Sequence, residues 1–210
     1  MTTTLLANFI VFEGIDGSGT TTQLKLLSER LKSTGVPHFT TSEPTRGPVG
    51  RLIHGVLAGN ETLDARSLAL LFAADRNEHL YHGEQSIDSQ LKKNKLVICD
   101  RYLFSSLAYQ SVDCEFDFIS SINNRFPLPE YVFFIDTPLE ISARRREDRD
   151  ERQIFETHEY QKKVMELYEK SFAAFSHTPM RLVRLNGSKE KHEILEEVWK
   201  FVSGLPIVKG

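Results

Sequence analysis

Apolar residues recur along this chain with two different periods, and the alternation between them predicts the fold. Phe9 to Phe12 and Tyr131 to Ile135 are short unbroken apolar runs rich in β-branched and aromatic side chains, the pattern of strands buried on both faces. Leu96 to Cys99 and Arg181 to Leu185 read as two more strands, and His38 to Thr41 as a fifth. Helical spacing fills the intervals over Gln23 to Leu31, Val49 to Leu57, Leu63 to Leu80, Tyr160 to Phe175 and Glu190 to Val202. Strands that alternate with helices require βαβ crossovers. The expected fold is therefore α/β, a doubly wound five-stranded parallel sheet flanked by helices, with ligands at the carboxyl ends of the strands. No internal repeat, low-complexity tract or Pro/Gly/Ser-rich linker divides the chain, so residues 1–210 are expected to form one domain.

Directly after the first strand stands Gly14-Ile15-Asp16-Gly17-Ser18-Gly19-Thr20-Thr21, followed by a helix-forming segment. Three glycines permit a tight loop whose N–H groups converge on an anion, and the helix start adds unpaired donors and the positive end of its dipole. The segment follows the phosphate-loop pattern G-x-x-x-x-G-K-[ST] in every position but one, because Thr20 stands where the lysine belongs. Thr21 retains the hydroxyl that coordinates Mg²⁺ in such loops. A glycine-rich turn without a ligand is the competing reading, and the rest of the chain must decide.

Composition narrows the picture without changing it. With 210 residues, 40% hydrophobic and 26% charged, the chain has the make-up of an ordinary globular α/β domain. A net charge of -3 argues against a polyanion coat or a polybasic membrane binder, so neither nucleic acid nor membrane is an expected partner. Cys99 and Cys114 are too few for a zinc site or a disulfide framework. The amino terminus lacks a basic start, and its apolar stretch is interrupted by Asn8 and closed by Glu13; a cytoplasmic protein is expected.

Further along, Leu71-Phe72-Ala73-Ala74-Asp75-Arg76 and Asp100-Arg101-Tyr102, with Ser105-Ser106-Leu107-Ala108-Tyr109-Gln110 close behind, bring named chemistry together. Phe72 and Arg76 are four apart on a predicted helix and face the same way, an aromatic plate beside a guanidinium that suits a stacked pyrimidine. Arg101 follows an apolar strand at the edge where the phosphate loop lies, and its planar fork suits a phosphate. A core phenylalanine, a surface arginine and a local Asp–Arg ion pair are the bland alternatives.

These motifs, in this order, resemble the thymidylate (dTMP) kinase family from Phe9 to about Val202. The resemblance implies a P-loop NTPase fold, a homodimer, and transfer of the γ-phosphoryl group of ATP to dTMP with Mg²⁺, giving dTDP for dTTP synthesis. It implies that Arg101 holds the dTMP phosphate and acts in catalysis. Asp100 and Thr21 would hold the metal, and Asp16 would reach the sugar 3′-hydroxyl and the metal region. Phe72 and Arg76 would bind thymine, with Ser105, Ser106, Tyr109 and Gln110 around base and sugar and Tyr109 disfavouring a 2′-hydroxyl. Glu43-Pro44 forms the turn after the second strand; Ser42 takes the place of a common arginine, and Arg46 is expected to supply its phosphate contact instead. Asn186 and Gly187 would border adenine.

From Arg144 to Arg152 the chain reads Arg-Arg-Arg-Glu-Asp-Arg-Asp-Glu-Arg. A solvated helix end is the bland reading. By resemblance, residues 144–156 form a lid over ATP in which Arg145 stacks on adenine and Arg149 or Arg152 reaches the β/γ-phosphates. Such a lid arginine, or less directly Lys25, is expected to cover the lysine lost at Thr20. The alternatives are a nucleotide-binding pseudokinase and a kinase with another deoxynucleotide acceptor.

Overall fold

The computed structural model describes residues 4–147 and 157–209. In chain order its elements are β1 (Leu5–Glu13), α1 (Thr20–Ser33), β2 (His38–Ser42), α2 (Pro48–Leu57), α3 (Ala65–Tyr81), α4 (Ile87–Lys92), β3 (Leu96–Asp100), α5 (Leu103–Tyr109), α6 (Phe116–Asn123), β4 (Leu128–Asp136), α7 (Leu139–Glu147), α8 (His158–Phe175), β5 (Arg181–Asn186), α9 (Lys191–Val202) and α10 (Pro206–Lys209). A short 3₁₀ turn, Gln110–Val112, follows α5.

All five expected strands pair in parallel in the order β2-β3-β1-β4-β5. Alternation within the apolar runs explains why both faces are covered. Phe9, Val11, Val97, Cys99, Val132 and Phe134 pack towards α5 and α8, against Phe104, Leu107, Tyr168 and Phe172. Ile10, Phe12, Ile98, Phe133 and Ile135 pack towards α1 and α9, against Leu27, Leu31, Ile194, Val198 and Val202. The sheet is thus a central layer whose side chains exclude water from both sides, and its strand tips are left to carry polar work.

Two stretches differ from the sequence reading. In the first strand, which starts at Leu5 rather than Phe9, Asn8 is an interior residue. It lies at φ 60 in a register shift between Leu6 and Ile10, and its N–H donates to Glu130 Oε2 at 2.8 Å, so pairing with β4 continues on both sides. The short helices α4 to α7 lack the length that makes a helical period visible, and α7 begins the arginine-rich run as an ordered helix from Leu139.

Candidate active site

The phosphate loop lies between β1 and α1, at the middle of the sheet, where β1 is flanked by β3 and β4. Gly19 precedes α1 at φ 104 and provides no side-chain cap, so the first-turn amides of α1 remain available to an anion. Gly17, at φ 80, has no room for a side chain: a Cβ there would lie 2.5 Å from the Ser142 carbonyl oxygen and 3.1 Å from Arg146 Cγ. Helix α7 therefore packs directly on the loop. Arg145 donates to the carbonyl oxygens of Ser18 at 3.2 Å and Gly187 at 3.0 Å, and Arg146 donates to that of Asp16 at 3.0 Å. Thr20 is buried at the first position of α1, whereas Lys25 is exposed and lines neither of the clefts beside the loop.

A cleft of about 300 Å³ opens on the β2–β3 side of the loop. Asp16, Thr21, Glu43, Pro44, Phe72, Arg76, Asp100, Arg101, Ser105, Ser106, Tyr109 and Gln110 all line it, so sites scattered over 95 positions converge on one space. Arg46 does not: it is exposed, and only its carbonyl oxygen is engaged, by Arg51.

Asp16 is the hub between loop and cleft. Its carboxylate accepts from Arg101 at 2.7 Å and from Gln161 of α8 at 3.0 Å, and its N–H donates to the Tyr109 hydroxyl at 3.0 Å. Arg101 stands at φ 67 over the Tyr109 ring, 5.1 Å from its centroid. Burial opposes the charge of Arg101, but Tyr109, Asp16 and the other groups around it outweigh that and raise its pKa, so the guanidinium stays charged. Burial also raises the Tyr109 phenol, which remains protonated.

Arg76 lines the cleft with Phe72, but most of its donors are already engaged. It is 1% exposed, and Nε, Nη1 and Nη2 engage Glu43, Asn123, the Tyr102 carbonyl and Ser106. Glu43 in turn meets His79 Nδ1 at 3.0 Å. Glu43, which also lines the cleft, is thus the buried counter-charge of Arg76. Asp75 holds the same turn from the other side, accepting from the Thr45 N–H at 2.7 Å and the Thr45 hydroxyl at 2.6 Å.

For a divalent cation, the relevant pair is Thr21 and Asp100. The Thr21 hydroxyl donates to Asp100 Oδ2 at 2.5 Å, while Asp100 Oδ1 is buried with no hydrogen-bond partner among the described residues. Mg²⁺ retains waters and substrate phosphates and takes only one or two protein oxygens, so this donor set fits it. No group of three or more His, Cys, Asp or Glu side chains that could hold a metal ion occurs among the described residues.

A second cleft lies over the α7 side of the loop, lined by Ser18, Gly19, Gln23, Arg145, Ser188 and Lys191 among others. Asn186 and Gly187, expected beside adenine, do not line it and act through its lining residues: Asn186 caps the Ser188 N–H, and Gly187 is held by Asp136 and Arg145. Arg149 and Arg152 lie outside the described residues.

Glu13 was read only as the end of an apolar stretch. It is fully buried and accepts from the N–H groups of Tyr102 and Ser105 and from the Ser105 and Tyr168 hydroxyls. Burial raises its pKa against these donors. The carboxylate ties the tip of β1 to the Arg101 turn and to α8. A charge closing a strand that is otherwise buried on both faces was the available signal.

The sequence model described as thymidylate kinase matches residues 12–198. A Treponema pallidum protein named as a thymidylate kinase is 40% identical over 196 residues, covering 92% of this chain and 93% of that one. A Methanococcus aeolicus protein, "Probable thymidylate kinase", is 47% identical over 161 residues, 76% of each. The solved thymidylate kinase of Candida albicans superposes with a TM-score of 0.75 at 23% identity, covering 94% of this chain and 91% of its own, and so shares the fold. With one family model spanning the phosphate loop, the Arg101 turn and the arginine-bearing helix α7, the chain belongs to the thymidylate kinase family.

Proposed function

We propose that this protein transfers the γ-phosphoryl group of ATP to the 5′-phosphate of dTMP, giving dTDP, with the acceptor in the 300 Å³ cleft and the donor along the phosphate loop. The observation that carries the reading is the Arg101–Asp16 pair at 2.7 Å, which couples the loop to the cleft across 85 residues of sequence.

Phosphoryl transfer asks the protein for alignment and charge neutralisation and for little covalent work. Arg101 binds the acceptor phosphate and stays charged throughout. Phe72 is the plate under the base, and Tyr109, pinned by the Asp16 N–H, forms the wall under the deoxyribose that disfavours a 2′-hydroxyl. The amides at the start of α1 bind the donor phosphates. Arg145 and Arg146, on carbonyls of the same loop, supply positive charge close to where Thr20 lacks it. Thr21 and Asp100 would hold Mg²⁺, which would neutralise charge on the donor phosphates when bound. Arg101, held in place by Asp16, orients the acceptor oxygen.

We further propose a cytoplasmic homodimer. No helix of the described residues is long and apolar enough to cross a membrane. Leu52 on α2 and Leu70 on α3 are 42% and 50% exposed on two helices that pack together, an apolar face suited to a second copy.

The deciding assay is dTDP formation from ATP and dTMP with Mg²⁺. Turnover supports the reading; dTMP binding by calorimetry with no dTDP formed overturns it.

A further inference from the structure

Five of the buried polar atoms without a hydrogen-bond partner among the described residues lie at the two clefts, while Gln90 Oε1 and Ser111 Oγ lie elsewhere. Ser18 Oγ and Gln23 Oε1 line the donor side, and Asp100 Oδ1, Gln110 Oε1 and His54 Nε2 line the acceptor side. An atom left so is costly, so a cleft that collects several is shaped for a ligand that pairs with them in place of water. Asp100 belongs with the metal site, and Gln110 lies in the SSLAYQ motif. His54 belongs to no motif and has no other part in the site.

His54 lies on α2, three residues before Leu57, so both residues present the same helix face to the cleft. Pro44 and Phe72 line the same space. An imidazole can donate or accept at Nε2, whereas a guanidinium only donates. That difference matters here because Arg76 is almost fully committed to Glu43, Asn123, Tyr102 and Ser106, leaving at most one N–H, on Nη1, for a ligand. One spare donor cannot read a pyrimidine edge on which carbonyl acceptors alternate with an N–H donor. A second polar reader is required in the same cleft, where Gln110 Oε1 and His54 Nε2 are both unpartnered among the described residues, and His54 is the one that no motif accounts for.

We propose that His54 is a base-reading residue: its Nε2 hydrogen-bonds the polar edge of the pyrimidine stacked on Phe72, and it shares with Arg76 the discrimination between thymine and cytosine. Cytosine carries an amino group where thymine carries a carbonyl, so the wrong base leaves a buried polar group unpaired on one side or the other. The inference rests on the reading of this cleft as the dTMP site. Turnover of dTMP by the unaltered protein tests that reading, and the ratio of variant to unaltered protein tests His54.

Acceptor kinetics with dTMP, dUMP and dCMP are measured for His54→Leu and His54→Gln. Loss of one neutral hydrogen bond predicts that His54→Leu raises KM for dTMP about three- to tenfold. The kcat and the KM for ATP should be unchanged, and the dTMP-over-dCMP preference should narrow. His54→Gln, which keeps a polar atom, should stay within about twofold. An unchanged KM for dTMP in His54→Leu, an equal rise in KM for ATP, or a glutamine variant as impaired as the leucine one overturns the proposal. In the unaltered protein, the ring-nitrogen NMR resonance that is absent in His54→Gln should shift and saturate with dTMP; a resonance that ignores dTMP also overturns it.

Discussion

Arg146 donates to the carbonyl oxygen of Asp16 at 3.0 Å, while its own Cγ fills the space that a side chain at Gly17 would need. A guanidinium carried by α7 is therefore anchored at Asp16 and Gly17 on the phosphate loop, the same loop that lacks its lysine at Thr20. Arg146→Ala should lower kcat, by about 10²-fold if it supplies an electrostatic contact in the transition state. Arg146→Lys should recover part of that loss because it retains the charge. Steady-state kinetics in ATP and dTMP check both; a kcat unaffected by Arg146→Ala excludes this arginine from the chemistry.

Thr20→Lys restores the charge-assisted contact to the β/γ-phosphates. If nothing else on the protein fully covers it, kcat should rise about tenfold or more, within the range that such groups contribute. A large fall would show that the buried threonine is a required part of a loop already held by Arg145 and Arg146.

Glu13 carries a pH signature. Burial raises its folded-state pKa above the ordinary 4.5, so the folded state favours the protonated carboxyl more than the unfolded chain does. The stability from this preference is fully present below pH 4.5 and is lost as pH rises through the folded value. Glu13→Gln mimics the neutral form and removes that dependence. Plotted against pH, the Tm of the unaltered protein minus that of the variant should fall as pH increases above 4.5; parallel curves would refute the assignment. The same variant should weaken dTMP binding, since the Arg101 turn hangs on this carboxyl through the N–H groups of Tyr102 and Ser105.

Leu70→Glu places a charge on the apolar α2–α3 face without touching the cleft. Light scattering after gel filtration should show the mass of two chains for the unaltered protein and of one for the variant. An unaltered protein that runs as a monomer removes the dimer.

What the sequence revealed and what it concealed follow different physics. Buried parallel strands are near-continuous apolar runs, so Phe9 to Phe12 and Tyr131 to Ile135 announced the centre of the sheet, and a glycine loop between strand and helix announced the anion site. Asp16, Phe72, Arg101 and Tyr109 could be named because they sit in ordered motifs, and they do meet in one cleft. The residues that hold those motifs in place could not. Glu13, Asp75, His79 and Tyr168 act through partners 30 to 155 positions away, and no local period marks such a pairing. Arg76 shows the other limit. Helical spacing gave its direction correctly, yet not that Glu43, Asn123 and Ser106 would occupy its donors.

Three non-glycine residues among those described have left-handed backbones: Asn8, Asn94 and Arg101. Asparagine is one of the few side chains that tolerates this conformation, and arginine gains nothing from it locally. The consequence is a conflict between durability and activity at a single position. A procedure that rewrote the chain for thermal stability from backbone geometry alone would favour Asn or Gly at 101, as at positions 8 and 94. The product would fold at least as readily around its turn while lacking the guanidinium that joins Asp16 to the acceptor cleft.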